Sequence, residues 1–401
     1  MGPKPDLQIA QPLTLKCGLT LPNRLVKTAM AEQLAGANQL PDERMQVVYK
    51  HWSAGGWGLI ITGHVQVDDA YLCMPSDPAM PQSLPLDSIL NHPGRQSPRG
   101  CGTRPLWAAA AAPSAVPVSL GAGLVARLVR ALVFGTPRAM GRDEVAAVAA
   151  QFARAARVCA EAGFDGVEIH AAHGFLLSQF LGRATNRRDD EYGGADPRAR
   201  ARAVVDVVRA VRDAVRPFDR FCVGVKLNSV DHQGDQGELA DCVEQVRALV
   251  DAGVDFIEVS GGTFEDPKMV WGNDGPGDQE EEKSERTKAR EAFFLEFAKV
   301  IRKEFPGVPL IVTGGFSSRV GMEKAVAEGG CDLVGLARPA VLNPSLPKNI
   351  VFNPEVKDQD ATLYRKKNKM PWILRFLGMH VVGAGMDTAW YSMRLQELAK
   401  T

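Results

Sequence analysis

The chain has 401 residues, 45% of them hydrophobic, and its 47 basic and 47 acidic side chains cancel to zero net charge. That length fits two average domains or one large α/β barrel, with ample apolar material for a core. Charge neutrality and the lack of a long apolar run exclude nucleic acid as the main partner, and likewise an anionic membrane surface or a membrane span. The start, Met1 to Leu7, lacks both the apolar stretch of a signal peptide and the Arg/Ser-rich pattern of a transit peptide. The end, Leu398 to Thr401, matches no retention or peroxisomal address. Seven cysteines are scattered without CxxC spacing, and Cys159, Cys222 and Cys331 lie in apolar segments as expected of core thiols. A reducing, cytoplasmic location is expected.

In chain order, the first β-rich run is Arg24 to Ala29. A recurring unit then begins: a helix ending in Ala-Gly or Gly-Gly, a turn, and a short apolar run. It occurs at Ala54 to Gly63, Ala162 to His170, Ala252 to Ser260 and Gly329 to Leu336. The glycine stops the helix, because a left-handed residue closes its last turn. The continuous apolar run after it is that of a parallel strand covered on both faces. Further runs lie at Phe221 to Leu227 and Val308 to Thr313. Amphipathic helices are predicted over Asp143 to Ala162, Ala199 to Val215, Glu238 to Asp251, Ala289 to Phe305 and Val320 to Glu328. Seven strands in sequential βα units of about forty residues predict a (β/α)8 TIM barrel. A Rossmann fold would need GxGxxG straight after an early strand, and none is present.

The Ala/Pro-rich stretch Leu106 to Phe134 has the look of a lid insertion, expected to occupy about residues 97–140. Phe264 to Thr287 reads as a polar loop whose acidic run, Glu280 to Glu282, is a solvated face. The barrel is expected over 1–345. Residues 346–401, with basic residues at 365–367 and 369, are expected to form an arm packed on the barrel or on a partner subunit.

The most informative stretch is EIHAAHGFLLSQFLG at 168–182, running on through TNRRDDEYGG at 185–194. A strand delivers His170 and His173 at its C-terminal end, where paired imidazole N–H groups can hold an oxygen on which charge builds. A metal site or two satisfied structural histidines is the plainer reading, but no HExxH or CxxC surrounds the pair. The run resembles the Old Yellow Enzyme family of FMN-dependent NADH:flavin oxidoreductases, in its fungal form, and the resemblance covers about residues 10–345. It implies a TIM barrel, FMN as cofactor, NADPH or NADH as reductant, and a small-molecule substrate bound by a monomer or homodimer.

The resemblance also implies site residues. Ala29 and Met30 would lie along the flavin edge, Gly63 would admit the ring plane closely, and Lys226 would sit by the pyrimidine end. The family usually carries arginine at that last position, so the charge is kept and the fork is lost. The alternative for Lys226 is a salt bridge to a barrel carboxylate. Gly314 and Gly315, with Ala337 and Arg338 on the next strand, would form the phosphate site. Two departures stand out. Phe175 replaces the tyrosine whose hydroxyl protonates the substrate carbon in relatives, the other common tyrosine position is Gln33, and Tyr71 is a candidate substitute. Ile89 stands where relatives carry a flavin-holding glutamine, and residues are missing between Asp77 and Ile89, so the third strand is expected to be short or absent.

Three functions follow from these residues. The leading one is reduction of an activated alkene, with its oxygen on His170 and His173. The second is a flavin-dependent oxidase or isomerase acting on a secondary-metabolite intermediate, which needs no tyrosine acid. The third is a non-catalytic barrel with impaired flavin binding.

Overall fold

A computed structural model describes residues 6–36, 38–80, 89–121, 123–228, 236–261, 297–364, 366 and 380–401. Its main sheet is parallel and holds nine strand segments. Eight barrel positions result because two segments are halves of one strand. We number the positions β1 (Leu25–Lys27), β2 (Leu59–Ile60 and His64–Gln66), β3 (Ile89–Asn91), β4 (Gly166–Ala171), β5 (Cys222–Asn228), β6 (Phe256–Ser260), β7 (Leu310–Thr313) and β8 (Leu333–Leu336). The first half of β2 pairs with β1 and the second half with β3, so the interrupted strand closes the ring. The TIM barrel expected from the sequence is therefore the fold.

The third strand is present, and it is short. Its three residues pair with His64–Gln66 on one side, and Leu90 registers with Ile169 of β4 on the other. Residues 81–88 and the Ile89 side chain lie outside the described residues. Asp77 shows how the chain is anchored ahead of β3. It is 2% exposed, accepts from the Cys73 and Met74 amides, and takes a 3.0 Å bond from Gln66 Nε2. Gln66 in turn accepts from Asn91 at 3.1 Å, which ties the ends of β2 and β3 together. Burial pushes the Asp77 carboxyl up to about 6 against these bonds.

The helices form where caps and apolar stripes coincide. The helix Glu43–Ser53 starts at Asp42, whose carboxylate accepts from the Arg44 amide, and Pro197–Val215 starts at Asp196 in the same way with proline in its first turn. The long helix Arg142–Glu161 begins where Glu144 accepts from the Gly141 amide at 2.9 Å. Their inner faces, with Phe152, Val204 and Val208 among them, bury against the outside of the sheet in the main apolar cluster. A second cluster fills the barrel's lower interior, where Val26, Cys222, Phe256, Ile311 and Leu333 meet Leu15 and Leu21. Leu15 lies next to, and Leu21 within, the antiparallel hairpin Leu13–Thr14/Thr20–Leu21, which thus plugs the N-terminal end.

The stretch expected to form a lid is more regular than its composition predicts. Ala111–Ala112 pairs in parallel with Arg138–Ala139, and Leu124–Val133 is a helix with Leu124, Leu128 and Leu132 exposed. The Phe264 to Thr287 loop lies outside the described residues, as does the basic patch apart from Lys366. The C-terminal helix His380–Leu398 returns to the barrel mouth. There Asp387 lies 3.5 Å from Arg338, and Ser392 donates to the Ala31 carbonyl at 3.3 Å. Among the described residues, no helix is long and apolar enough to cross a membrane.

Candidate active site

Side chains alternate in and out along a strand, so Glu168 and His170 of β4 share one face. Strand register then sets their neighbours. Lys226 of β5 lies opposite His170 on one side and Glu258 of β6 on the other. The result is a polar layer at the C-terminal ends of the strands, above the apolar plug.

His170 is 1% exposed, and its Nδ1 accepts a 3.2 Å bond from the Ala172 amide. Burial first, then the neighbouring His173, His64 and Lys226, hold its pKa well below the usual histidine range. A neutral ring whose Nδ1 is an acceptor carries its proton on Nε2. That Nε2 is buried and has no hydrogen-bond partner among the described residues. The strand thus presents a fixed N–H donor with no acceptor among the described residues.

His173 sits 5.0 Å away, ring centroid to centroid. Its backbone is left-handed, with φ 57°, a conformation held by bonds on both sides of the peptide. The His173 amide donates to Asn228 Oδ1 at 2.9 Å, and Gln96 Nε2 donates to its carbonyl at 3.1 Å. Ser260 Oγ lies 3.0 Å from His173 Nε2 and orients the ring. Burial, reinforced by Lys226, keeps this imidazole neutral as well.

A third histidine belongs to the cluster and was missed from the sequence. His64, in the second half of β2, packs 5.0 Å from His170 and 5.3 Å from Phe175. Burial holds it down at about 3. Its position one residue past Gly63, on a strand leading into the mouth, was the available signal. Among the described residues, the metal-ligating groups that cluster include none of these histidines. Phe175 packs edge-on at 4.8 Å from His170 and carries no exchangeable proton. Tyr71, the candidate substitute, instead stacks at 4.7 Å from His92 and lies under the Arg104 guanidinium. Gln33 has a left-handed backbone, with φ 52°.

Lys226 is 2% exposed and forms an ion pair with Glu258 Oε1 at 2.5 Å, with Thr28 Oγ1 3.1 Å away. The salt-bridge alternative raised from the sequence therefore describes its partner within the chain. Burial would raise the Glu258 carboxyl, but Lys226 and the hydrogen bonds around it hold it below the usual range. Glu168 is the reverse case. Burial, with Glu258 beside it, pushes its carboxyl well up, and neither of its oxygens has another partner among the described residues. One carboxyl of this pair is thus neutral and the other charged.

At β1, Ala29 is buried in the inner cluster and Met30 is half-buried. Gly63 is constrained by its own protein, because a Cβ there would meet Glu32 Cδ at 2.6 Å. Tyr49 donates to Glu32 and accepts from the Gly63 amide at 3.0 Å. On the opposite side of the mouth, Gly314 and Gly315 have φ of 106° and 90°. Gly335 of β8 lies against Thr313 of β7, where a Cβ would fall 1.8 Å from Thr313 Oγ1. That hydroxyl is buried without a hydrogen-bond partner among the described residues. Ala337 caps the short helix Arg338–Leu342.

The profile of the NADH:flavin oxidoreductase / NADH oxidase family, an FMN oxidoreductase family, matches residues 90–355. The chain belongs to this family. It is 48% identical over 418 residues to the NADH-dependent flavin oxidoreductase iccE of Talaromyces variabilis, covering 99% of both chains. It is 52% identical over 417 residues to the NADH-dependent flavin oxidoreductase iliE of Neonectria sp. (strain DH2), covering 97% of this chain but only 54% of that protein. The chain thus spans about half the length of this second relative. Among solved structures, the Old Yellow Enzyme homologue of Zymomonas mobilis superposes with a TM-score of 0.68 at 24% identity, covering 87% of this chain and 94% of that one.

The flavin oxidoreductase's mouth fits the cofactor of its family. A phosphate needs N–H and hydroxyl donors on a backbone it can approach; Gly314, Gly315 and the Thr313 hydroxyl, without a partner among the described residues, would offer that setting at the end of β7, with Arg338 following the paired strand β8.

Proposed function

We propose that this flavin oxidoreductase reduces a small-molecule alkene activated by a carbonyl, with NADH or NADPH as the reductant. NADH is favoured by the names of the relatives iccE and iliE. The observation that carries the reading is the buried, unpartnered Nε2–H of His170 beside His173. A donor left without a partner in a closed site is costly, so its retention argues for an acceptor that arrives with the ligand.

In this reading Ala29, Met30, Gly63 and Lys226 hold the flavin ring. Gly314, Gly315, Ala337 and Arg338 hold the FMN phosphate. Bound FMN supplies hydride transfer, and the chain's own residues do the rest. His170 Nε2–H donates to the substrate oxygen, and His173 provides the second contact with its ring steadied by Ser260. Because both imidazoles are neutral, they polarise the carbonyl without adding a charge that water would screen. Lys226 places a cation beside the pyrimidine end of the ring, balanced by Glu258. Phe175 forms an apolar wall and moves no proton. A cytoplasmic location and a monomer or homodimer belong to the same proposal.

The test is anaerobic turnover of 2-cyclohexenone by the FMN-loaded protein with NADH. Saturated ketone should form, and His170→Ala should lower its rate by about 10²–10³. No ketone from the parent protein, with flavin reduced normally, would remove the proposal. Phe175 favours one second reading, an oxidase or isomerase that needs no acid at that position. The non-catalytic reading rested on a short or absent third strand; β3 is short but pairs with both of its neighbours, which speaks against that reading.

A further inference from the structure

At the far end of the barrel from the histidines, three side chains converge without a role in the proposed chemistry. Cys17 lies in the turn of the plugging hairpin, Cys222 opens β5, and Asp255 precedes β6. The two sulfurs and a carboxylate oxygen of Asp255 lie within 4.8 Å of one another.

A metal ion is the first occupant to consider, and the carboxylate argues against it. Asp255 Oδ2 is already held by the Val223 amide at 2.7 Å and by the Arg212 guanidinium in an ion pair. The charge a cation would use is neutralised, and a guanidinium stands beside the site. That leaves two thiols in contact, too few for a stable tetrahedral centre.

The thiols themselves are unequal. Cys222 is 4% exposed, while Cys17 is partly open to solvent. Cys17 sits in a surface turn, before Gly18 with φ 86° in a two-stranded hairpin. Cys222 is fixed in the sheet between β4 and β6. The hydrogen bond from Cys222 lowers Cys17 to about 7 against burial, the Leu19 amide adds to the effect, and the paired Asp255 and Arg212 act in opposite directions. A partly accessible thiolate held by hydrogen bonds is the reactive form of cysteine.

We propose that Cys17 is a site of oxidation by hydroperoxides, with Cys222 as the thiol that resolves it to a disulfide. The Cys17 thiolate attacks one peroxide oxygen, the O–O bond breaks, and Cys17 becomes a sulfenic acid as the other oxygen leaves as water or alcohol. Cys222 then loses its proton and attacks the Cys17 sulfur. The S–O bond breaks, the S–S bond forms, and the hydroxyl leaves as a second water. Two thiols are oxidised by two electrons, and one peroxide is reduced. The product bolts the hairpin plug to β5 and closes a loop of about 200 residues, which restricts the unfolded chain.

The test treats the full-length, FMN-loaded protein with one equivalent of hydrogen peroxide, followed by intact-mass measurement and peptide mapping. A loss of about 2 Da and a linked Cys17–Cys222 peptide are expected, with a thermal midpoint raised by a few degrees and reversed by dithiothreitol. Cys17→Ser should abolish all three changes. Cys222→Ala should instead leave a sulfenic acid on Cys17 that dimedone labels. Because Cys222 is buried, the Cys17→Ser arm stands alone if the alanine variant folds poorly. Oxidation of Cys73, Cys101 or Cys242 with Cys17 and Cys222 still reduced would overturn the proposal. So would zinc retention by the untreated protein that Cys17→Ser removes.

Discussion

At the scale of single residues, the site depends on which nitrogen of His170 carries the proton. The Ala172 amide settles that by occupying Nδ1, a second-neighbour bond that no sequence pattern announces. The His170/His173 pair itself was legible, because the motif places both at a strand end. His64 was not legible, since it becomes a neighbour of His170 only when the interrupted β2 lies one strand away from β4, across the short β3. At Gly63 the structure adds a reason for smallness that the sequence did not show, because a Cβ there would meet Glu32. Phe175 carries the clearest residue-scale consequence. Its ring edge lies against His170, so a hydroxyl added there enters the same cluster. If alkene reduction waits on carbon protonation, Phe175→Tyr should speed the enone half-reaction by up to about 10²–10⁴. The NADH half-reaction should stay within a few-fold. Stopped-flow measurement of both halves checks this, and an unchanged enone step with flavin fully bound would favour the oxidase or isomerase reading.

At the scale of elements, glycine-stopped helices followed by apolar runs located four of the barrel's strands and apolar runs alone located three more, although the second half of β2, His64–Gln66, lies past the predicted unit. The third escaped the pattern for a physical reason. Three residues are too few to show an apolar period, and β3 is held by register with its neighbours and by the Gln66–Asn91 bond rather than by its own composition. The helix Leu124–Val133 was hidden by the alanines and prolines flanking it. Strands β7 and β8 give a sharp test of the phosphate end. Gly335→Ala would drive a Cβ into Thr313 Oγ1, so the strands must part or the threonine must turn. Overpacking of this kind costs about 1–3 kcal/mol. The variant should have a lowered thermal midpoint and retain less FMN after gel filtration. Full retention of FMN together with the lowered midpoint would detach this pair from the phosphate.

At the scale of the whole molecule, the barrel buries titratable groups of opposite tendency, and pH reports their balance. His64 and His92 are pushed down to about 3 and about 4, and His170 and His173 fall well below the usual range, all chiefly through burial. A histidine depressed in the folded state contributes stability above its unfolded value of about 6.5 and loses it as pH falls toward the folded value. Asp77, at about 6, and Glu168, raised well above its ordinary value, act in the other direction, since the folded state holds their protons more tightly. Near pH 5 the four histidines outweigh the two carboxyls. The thermal midpoint should therefore fall as pH is lowered from about 6.5 to 5. The slope should be less than the ~1.4 kcal/mol per pH unit of a fully buried group for each net proton, because His64 and His173 keep some solvent contact. A midpoint that is flat or rises over that interval would mean the histidines are charged in the folded state, which is incompatible with their role as neutral donors. The most direct measurement of that role is the affinity of the FMN-loaded protein for a simple phenol, measured by equilibrium dialysis in the parent and in His170→Ala. A hydrogen bond to a charged oxygen is worth about 1.5–3 kcal/mol, so the variant should bind the phenol about 10- to 100-fold more weakly with its flavin still in place. Equal affinity in the two proteins would show that the free N–H of His170 does not hold the ligand's oxygen, and would contradict the account.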